Sequence, residues 1–277
     1  MKESIRVYVT RLIKQYGLKP SRKLGQHFLV DERAVERFVN AVDQCGVVYE
    51  IGCGLGSLTI PLAHRASYLF CSELDETLAG ILKNEVESRG IANVDIIKAD
   101  ATRFEISKRA HIVVSNTPFN ISSRLVVKLC RDEGLLYAVL GVQNEVGLRL
   151  LAKPGESSYG RLSVIAQLCF DIVKLFKIPP RAFIPRPEVA TLVLRLTPKH
   201  SLAEKEIADV ELLTRRLFSL RKRKVPGALK EAFNLSDEEI RKLLSRCGVS
   251  QDLRVYELTP SQLLRITREG FLELHSL

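Results

Sequence analysis

Val47-Val48-Tyr49-Glu50-Ile51 runs straight into Gly52-Cys53-Gly54-Leu55-Gly56, and Leu58, Ile60, Leu62 and Ala63 follow at helical spacing. A β-branched apolar run, a glycine-rich turn and an amphipathic helix make up the first half of a nucleotide-binding βαβ unit. The glycines are spaced G-x-G-x-G rather than G-x-G-x-x-G, and an acid, Glu50, precedes them. So short a loop suits a cofactor without a pyrophosphate better than a dinucleotide.

Working outward, Tyr68-Leu69-Phe70-Cys71-Ser72 is a second strand, and Glu73 stands at its end, 21 residues after Gly52. An acid there accepts the hydroxyls of a ribose. A third strand, Val94-Asp95-Ile96-Ile97, leads to Asp100, a second strand-end acid placed to receive an adenine amine. A fourth, Ile112-Val113-Val114, opens into Ser115-Asn116-Thr117-Pro118-Phe119-Asn120. Ligands of open α/β sheets bind at such carboxyl ends. The residue types of this loop suit activation of a planar amine: the Asn116 side-chain oxygen and the Pro118 carbonyl can accept two amine hydrogens, and the Phe119 ring can stack on a flat base. Further strands are expected at 135–142, 171–178 and 189–196, with helices between them. The alternation predicts a mostly parallel doubly wound α/β sheet carrying an antiparallel hairpin at its edge.

Past Pro198 the strand signal stops, and leucines at helical spacing predict four or five short helices, one of them capped by Ser236 ahead of Asp237, Glu238 and Glu239. The domain boundary is set at 198/199. At the other end, residues 4–16 form an amphipathic helix with Ile5, Val9, Leu12, Ile13 and Tyr16 inward and its basic side free. Asp31 caps the helix that follows.

The 277 residues are 46% hydrophobic and 27% charged, ordinary for a globular protein. No apolar run approaches a membrane span and the first residues lack a signal-peptide core, so a cytoplasmic location is expected. Six scattered cysteines, Cys45, Cys53, Cys71, Cys130, Cys169 and Cys247, give neither a disulfide framework nor a zinc pattern, and no metal is expected. The net charge of +10 is concentrated: residues 1–24 carry seven Lys or Arg against Glu3, and Arg215, Arg216, Arg221, Lys222, Arg223 and Lys224 form a second block. Such clusters suit a polyanion.

With Gly25-Gln26-His27-Phe28-Leu29, the Glu50–Gly56 loop, Glu73, Asp100, Asn116-Thr117-Pro118-Phe119, Phe183-Ile184-Pro185-Arg186-Pro187 and the basic block in this order, the chain resembles the ribosomal RNA adenine dimethyltransferases over nearly its whole length. The resemblance implies a Rossmann-like S-adenosylmethionine-dependent methyltransferase domain, here 1–198, and a small all-helical RNA-binding domain, here 199–277. It implies that His27 and Leu29 contact the methionine end of the donor, that Gly52 lines its loop, that Glu73 holds its ribose and Asp100 its adenine, and that Asn116 bridges donor and target amine. The reaction implied is dimethylation of the exocyclic amine of adenines in small-subunit ribosomal RNA during ribosome biogenesis, by a monomer. Large-subunit methylation of the macrolide-resistance type is an alternative, as is a non-catalytic assembly or transcription factor. Thr117, Phe119 and Cys53 depart from the family's usual Leu, Tyr and Pro.

Overall fold

The computed structural model describes residues 3–21, 24–43, 46–103 and 111–274, to 270 for side chains. Cys45, and Lys2, Arg22 and Lys23 of the N-terminal basic cluster, lie outside the described residues.

Helix α1 (Ile5–Gln15) starts where the Ser4 side chain accepts the Val7 N–H, the arrangement that relieves an orphan donor of the first turn. It buries Tyr8, Val9 and Leu12, whereas Tyr16, expected inward, is 40% exposed. Tyr8 lies one turn from Ile5 and from Leu12, on the same stripe. After β1 (Phe28–Leu29), α2 (Glu32–Asn40) begins at Asp31, whose carboxylate accepts the Ala34 N–H at 2.9 Å.

The alternating segment then runs β2 (Val47–Ile51), α3 (Thr59–Ala63), β3 (Tyr68–Glu73), α4 (Glu76–Ser88), β4 (Val94–Lys98), β5 (Ile112–Asn116), α5 (Ser122–Leu129), β6 (Tyr137–Gln143), α6 (Asn144–Leu151), α7 (Arg161–Cys169), β7 (Phe170–Ile178), β8 (Phe183–Ile184) and β9 (Thr191–Pro198). Seven strands form one sheet in the order β4-β3-β2-β5-β6-β9-β7. From β4 to β6 all neighbours are parallel, and β9 runs antiparallel to β6. Strand β5 is central: Val113 and Val114 are fully buried, each worth roughly 1.5–3 kcal/mol over an exposed valine. Such a position explains its uninterrupted β-branched run.

A second, two-stranded sheet pairs Phe28 with Ile184 and Leu29 with Phe183, antiparallel, and Val30 N–H donates to the Ala182 carbonyl at 2.8 Å. This short ladder fixes the 24–31 segment on the loop before β9.

Contacts divide the chain into two compact units, Met1–Gly147 with Ile172–Pro198, and Leu148–Asp171 with Lys199–Leu277. The segment 148–171, which the sequence places in the first domain, therefore packs with the helices α8 (Glu204–Leu217), α9 (Val225–Phe233), α10 (Asp237–Cys247) and α11 (Pro260–Leu274). The reason lies in its contacts. Tyr159 is buried with its hydroxyl on the Leu258 carbonyl at 2.8 Å, and Gly155 N–H donates to the Tyr256 carbonyl at 2.9 Å. Ser236 caps α10 reciprocally with Glu239. Among the described residues no helix is long and apolar enough to cross a membrane, and no group of three His, Cys, Asp or Glu is placed for a metal ion.

Candidate active site

The carboxyl ends of β2, β3 and β5 open on one cleft in the first unit, with Gly52, Glu73, Asp100, Asn116, Pro118 and Phe119 in its wall. His27 and Leu29 reach it from the segment fixed by β1 and β8. All the site residues expected from the sequence are thus brought together. The cleft is open to solvent, and its volume with the solvent at its mouth included is about 980 Å³.

Glu73 is buried at the rim, 8% exposed. One carboxylate oxygen accepts the Gly54 N–H at 2.8 Å and the other the Asp75 N–H at 3.0 Å. Burial raises its pKa above the ordinary carboxylate value, and these backbone donors oppose the rise. The side chain is locked in one place, while each oxygen keeps a lone pair for a hydroxyl. Asp75 also caps α4 and takes the Gln26 amide at 3.0 Å, so the N-terminal segment is bolted to the same corner.

Asp100 is more open. Its pKa is lowered, first by the Thr102 hydroxyl, which donates to Oδ1 at 2.7 Å, and then by the Thr102 N–H at 2.9 Å.

Asn116 ends β5, and its amide nitrogen donates to the His27 carbonyl at 3.3 Å. This orients the amide so that Oδ1, with no donor among the described residues, is left as an acceptor. Beneath it, the Ser115 hydroxyl donates to the Ile51 carbonyl at 2.8 Å and ties the ends of β5 and β2 together. The Phe119 ring lies 5.2 Å from the His27 ring at a 38° tilt. His27 in turn donates from Nδ1 to the Pro185 carbonyl at 2.8 Å, which fixes its tautomer.

Pro118 departs from expectation. Its carbonyl already accepts the Ile121 N–H at 3.1 Å and the Ser122 hydroxyl at 3.4 Å, the turn that launches α5. The carbonyl one residue earlier, Thr117 O, meets no donor among the described residues.

Two glycines let the loops touch. Gly52 has φ +73°, and a Cβ there would sit 3.1 Å from the Pro118 ring. Gly25 has φ +65°, and a Cβ would sit 2.9 Å from the Phe119 backbone nitrogen. A side chain at Gly25 would have to displace the Phe119 backbone, one at Gly52 would press the Pro118 ring by a few tenths of an ångström, and the positive φ strains a substitution at either.

Glu50 is a functional neighbour that the sequence marks without explaining. It is 2% exposed, and burial pushes its pKa up to about 8, opposed by the Cys71 thiol, which donates to its Oε2 at 3.7 Å. The Tyr8 hydroxyl donates to the Leu55 carbonyl at 2.9 Å and braces the glycine loop from α1; the stripe spacing of Tyr8 with Ile5 and Leu12 was the available signal.

The basic clusters are less free than their composition suggests. Arg11 pairs with Glu3 at 3.2 Å and Glu85 at 3.3 Å. In the second unit Arg221 donates to the carbonyls of Ser157, Glu156 and Tyr159. Arg223 pairs with Glu231, and Lys224 with Asp252 at 2.8 Å. Arg221 is a staple for the 153–160 loop.

A protein of Pyrococcus abyssi, "Probable ribosomal RNA small subunit methyltransferase A", is 35% identical over 270 residues, 95% of this chain and 96% of its own. A protein of the same name from Pyrobaculum aerophilum is 40% identical over 231 residues, 81% of this chain and 97% of its own. Among solved structures, a dimethyladenosine transferase from Plasmodium falciparum superposes with a TM-score of 0.76 at 23% identity, over 89% of this chain and 98% of that one. The 23S rRNA methyltransferase ErmE gives 0.67 at 23%, over 87% and 98%, which shows the shared fold. The family model described as "Ribosomal RNA adenine dimethylase" matches residues 17–270, and with relatives of this identity and coverage the chain belongs to that family.

Proposed function

We propose that the chain transfers methyl groups from S-adenosylmethionine to the exocyclic amine of adenines in small-subunit ribosomal RNA. The observation that carries this reading is the presence in one cleft of a buried, backbone-locked acid, Glu73, and an amide acceptor, Asn116, whose nitrogen is tied to His27.

The residues fit the donor. Glu73 would hold the ribose hydroxyls and Asp100 the adenine amine, and the bare Gly52 keeps the floor of the cleft clear where a Cβ would intrude. His27 and Leu29 would border the methionine end; the Leu29 side chain is itself in the core, 1% exposed, so its backbone is the part available. When bound, S-adenosylmethionine supplies an electrophilic methyl group on a sulfonium.

An adenine amine is a poor nucleophile because its lone pair is delocalised into the ring. Asn116 Oδ1 and the Thr117 carbonyl accept its two hydrogens and draw the nitrogen toward tetrahedral geometry, with preorganised acceptors facing the charge that develops. Pro118 serves by position, its ring against Gly52 and its carbonyl holding the turn into α5. Phe119 stacks on the base, and its ring face meets the cationic nitrogen. The base must be flipped out or unpaired to reach this loop. Cations of both units hold RNA phosphates without reading sequence.

The test is to incubate unmodified small-subunit particles, and separately large-subunit RNA, with the protein and isotope-labelled donor, and then to identify the nucleosides by mass spectrometry. Dimethyladenosine in the small-subunit RNA is expected. Label confined to large-subunit RNA would move the assignment to the macrolide-resistance type of reaction, and no label with no donor binding would leave a scaffold.

A further inference from the structure

The loop between β7 and β9 carries two arginines that neither basic cluster contains, and its backbone is tied to the His27–Leu29 segment that lines the cleft. Arg181 and Arg186 are exposed, as is Arg6. Among the described residues none of their side chains enters an ion pair, and Arg6 spends one guanidinium nitrogen on the Arg181 carbonyl at 3.1 Å. The nearest acid in the loop sequence is Glu188, also exposed.

Their backbone is unusually well fixed for a loop. Val30 N–H holds the Ala182 carbonyl, the β1–β8 ladder pins Phe183 and Ile184, His27 Nδ1 holds the Pro185 carbonyl, and Pro187 is buried. Through His27, whose ring lies 5.2 Å from that of Phe119, this ledge joins the stacking platform for the base. Exposed arginines without acidic partners, carried on a fixed backbone, suit an anion that arrives with the substrate. A flipped nucleotide brings two such anions, the phosphates on either side of it, and they must be held apart from the duplex while the base lies in the cleft.

Resting on the methylation reading above, we infer that Arg181 and Arg186, assisted by Arg6, grip the phosphates flanking the flipped adenine and so position the base on Phe119. This grip is separate from the general hold that the 215–224 block provides. It acts on the RNA alone and leaves the donor pocket untouched.

The test uses the full chain with unmodified small-subunit particles and measures kcat and KM for the particle from 50 to 200 mM salt, with donor affinity by calorimetry. For Arg181→Ala/Arg186→Ala, KM is expected to rise about tenfold or more, and the slope of log(kcat/KM) against log salt to shrink by about 0.7 for each single-strand phosphate that is no longer neutralised. Donor affinity and the melting temperature stay at wild-type values. Arg186→Lys in the Arg181 background restores most of its share of the slope. Wild-type KM and slope in the double variant, or a slope that Arg186→Lys leaves as low as Arg186→Ala, overturn the inference. A wild-type protein that binds donor but methylates no RNA overturns the methylation reading instead, and this inference with it.

Discussion

Replacing Glu73 by Gln separates what holds the rim together from what holds the ligand. Both carboxylate oxygens are occupied by backbone donors, Gly54 N–H at 2.8 Å and Asp75 N–H at 3.0 Å. A glutamine offers one oxygen, so one buried N–H loses its partner and faces an NH₂ group, at a cost of about 1–3 kcal/mol. Neutralisation works the other way, because burial already disfavours the charged form of Glu73. The two effects partly cancel, and the melting temperature without donor should fall by only a few degrees. For the ligand nothing cancels. Hydrogen bonds from hydroxyls to a charged acceptor contribute about 1.5–3 kcal/mol, which translates to a rise in Kd of roughly 10- to 150-fold. Calorimetric titration with S-adenosylmethionine, beside a thermal melt of the free protein, gives both numbers. A Glu73→Gln protein that melts normally and binds donor within twofold of wild type would refute the assignment of Glu73 to the ribose.

Asn116→Ala should lower kcat by about 10²–10³, the loss typical of one preorganised acceptor or donor, with donor affinity little changed; single-turnover kinetics decide it. Gly25→Ala forces a side chain into a positive φ against the Phe119 backbone, at a cost of about 1–3 kcal/mol of strain, and should depress kcat/KM more than stability. Glu50 has its folded pKa raised, from 4.5 to about 8, so its contribution to stability is complete below pH 4.5 and is lost as pH climbs to about 8. The span corresponds to at most roughly 5 kcal/mol. Glu50→Gln should therefore raise the melting temperature at pH 9 and leave it nearly unchanged at pH 5, and parallel melting curves for the two proteins across that range would contradict the burial argument. Arg221→Ala should loosen the 156–159 loop, visible as faster amide exchange there, with the salt slope of RNA binding unaltered; Lys222→Ala should do the reverse.

Much of this was legible in the residues because period and punctuation agree. The β-branched runs of β2 and β5 are strands as read, and Glu73 and Asn116 stand at strand ends as read, because a parallel strand buried on both faces favours polar residues at its ends. What stayed hidden depends on partners distant in sequence. Two-residue strands such as β1 and β8 carry no pattern, so the link from His27 to Pro185 could not be read. Segment 148–171 has ordinary α/β-domain composition, and only the burial of Tyr159 and its bond to Leu258 assign it to the helical unit. A run of cations reads as a polyanion site whether its guanidiniums face solvent or, like that of Arg221, three carbonyls of a neighbouring loop. Pro118 shows the same limit at atomic scale: the motif names the loop, and only the turn into α5 shows which of its carbonyls is committed.

The sheet itself sets the geometry of the proposed reaction. Strand β2 lies between β3 and β5, with Ile51 beside Ser72 and Glu50 beside Val114, so the ends bearing Glu73 and Asn116 are two strand spacings apart, about 10 Å. That interval separates the group proposed to hold the ribose from the group proposed to receive the amine, and it is enforced by backbone ladders. The glycine loop lies in the gap, anchored by Gly52 N–H on the Ser72 carbonyl at 2.9 Å and touched by the Pro118 ring. Thr117, whose N–H makes the last ladder bond of β5 to the Gly141 carbonyl at 2.9 Å, and Phe119, which lies past it, follow the end of the strand. Substitutions there alter stacking and polarity around the base without changing this span, and so should shift rate rather than donor affinity.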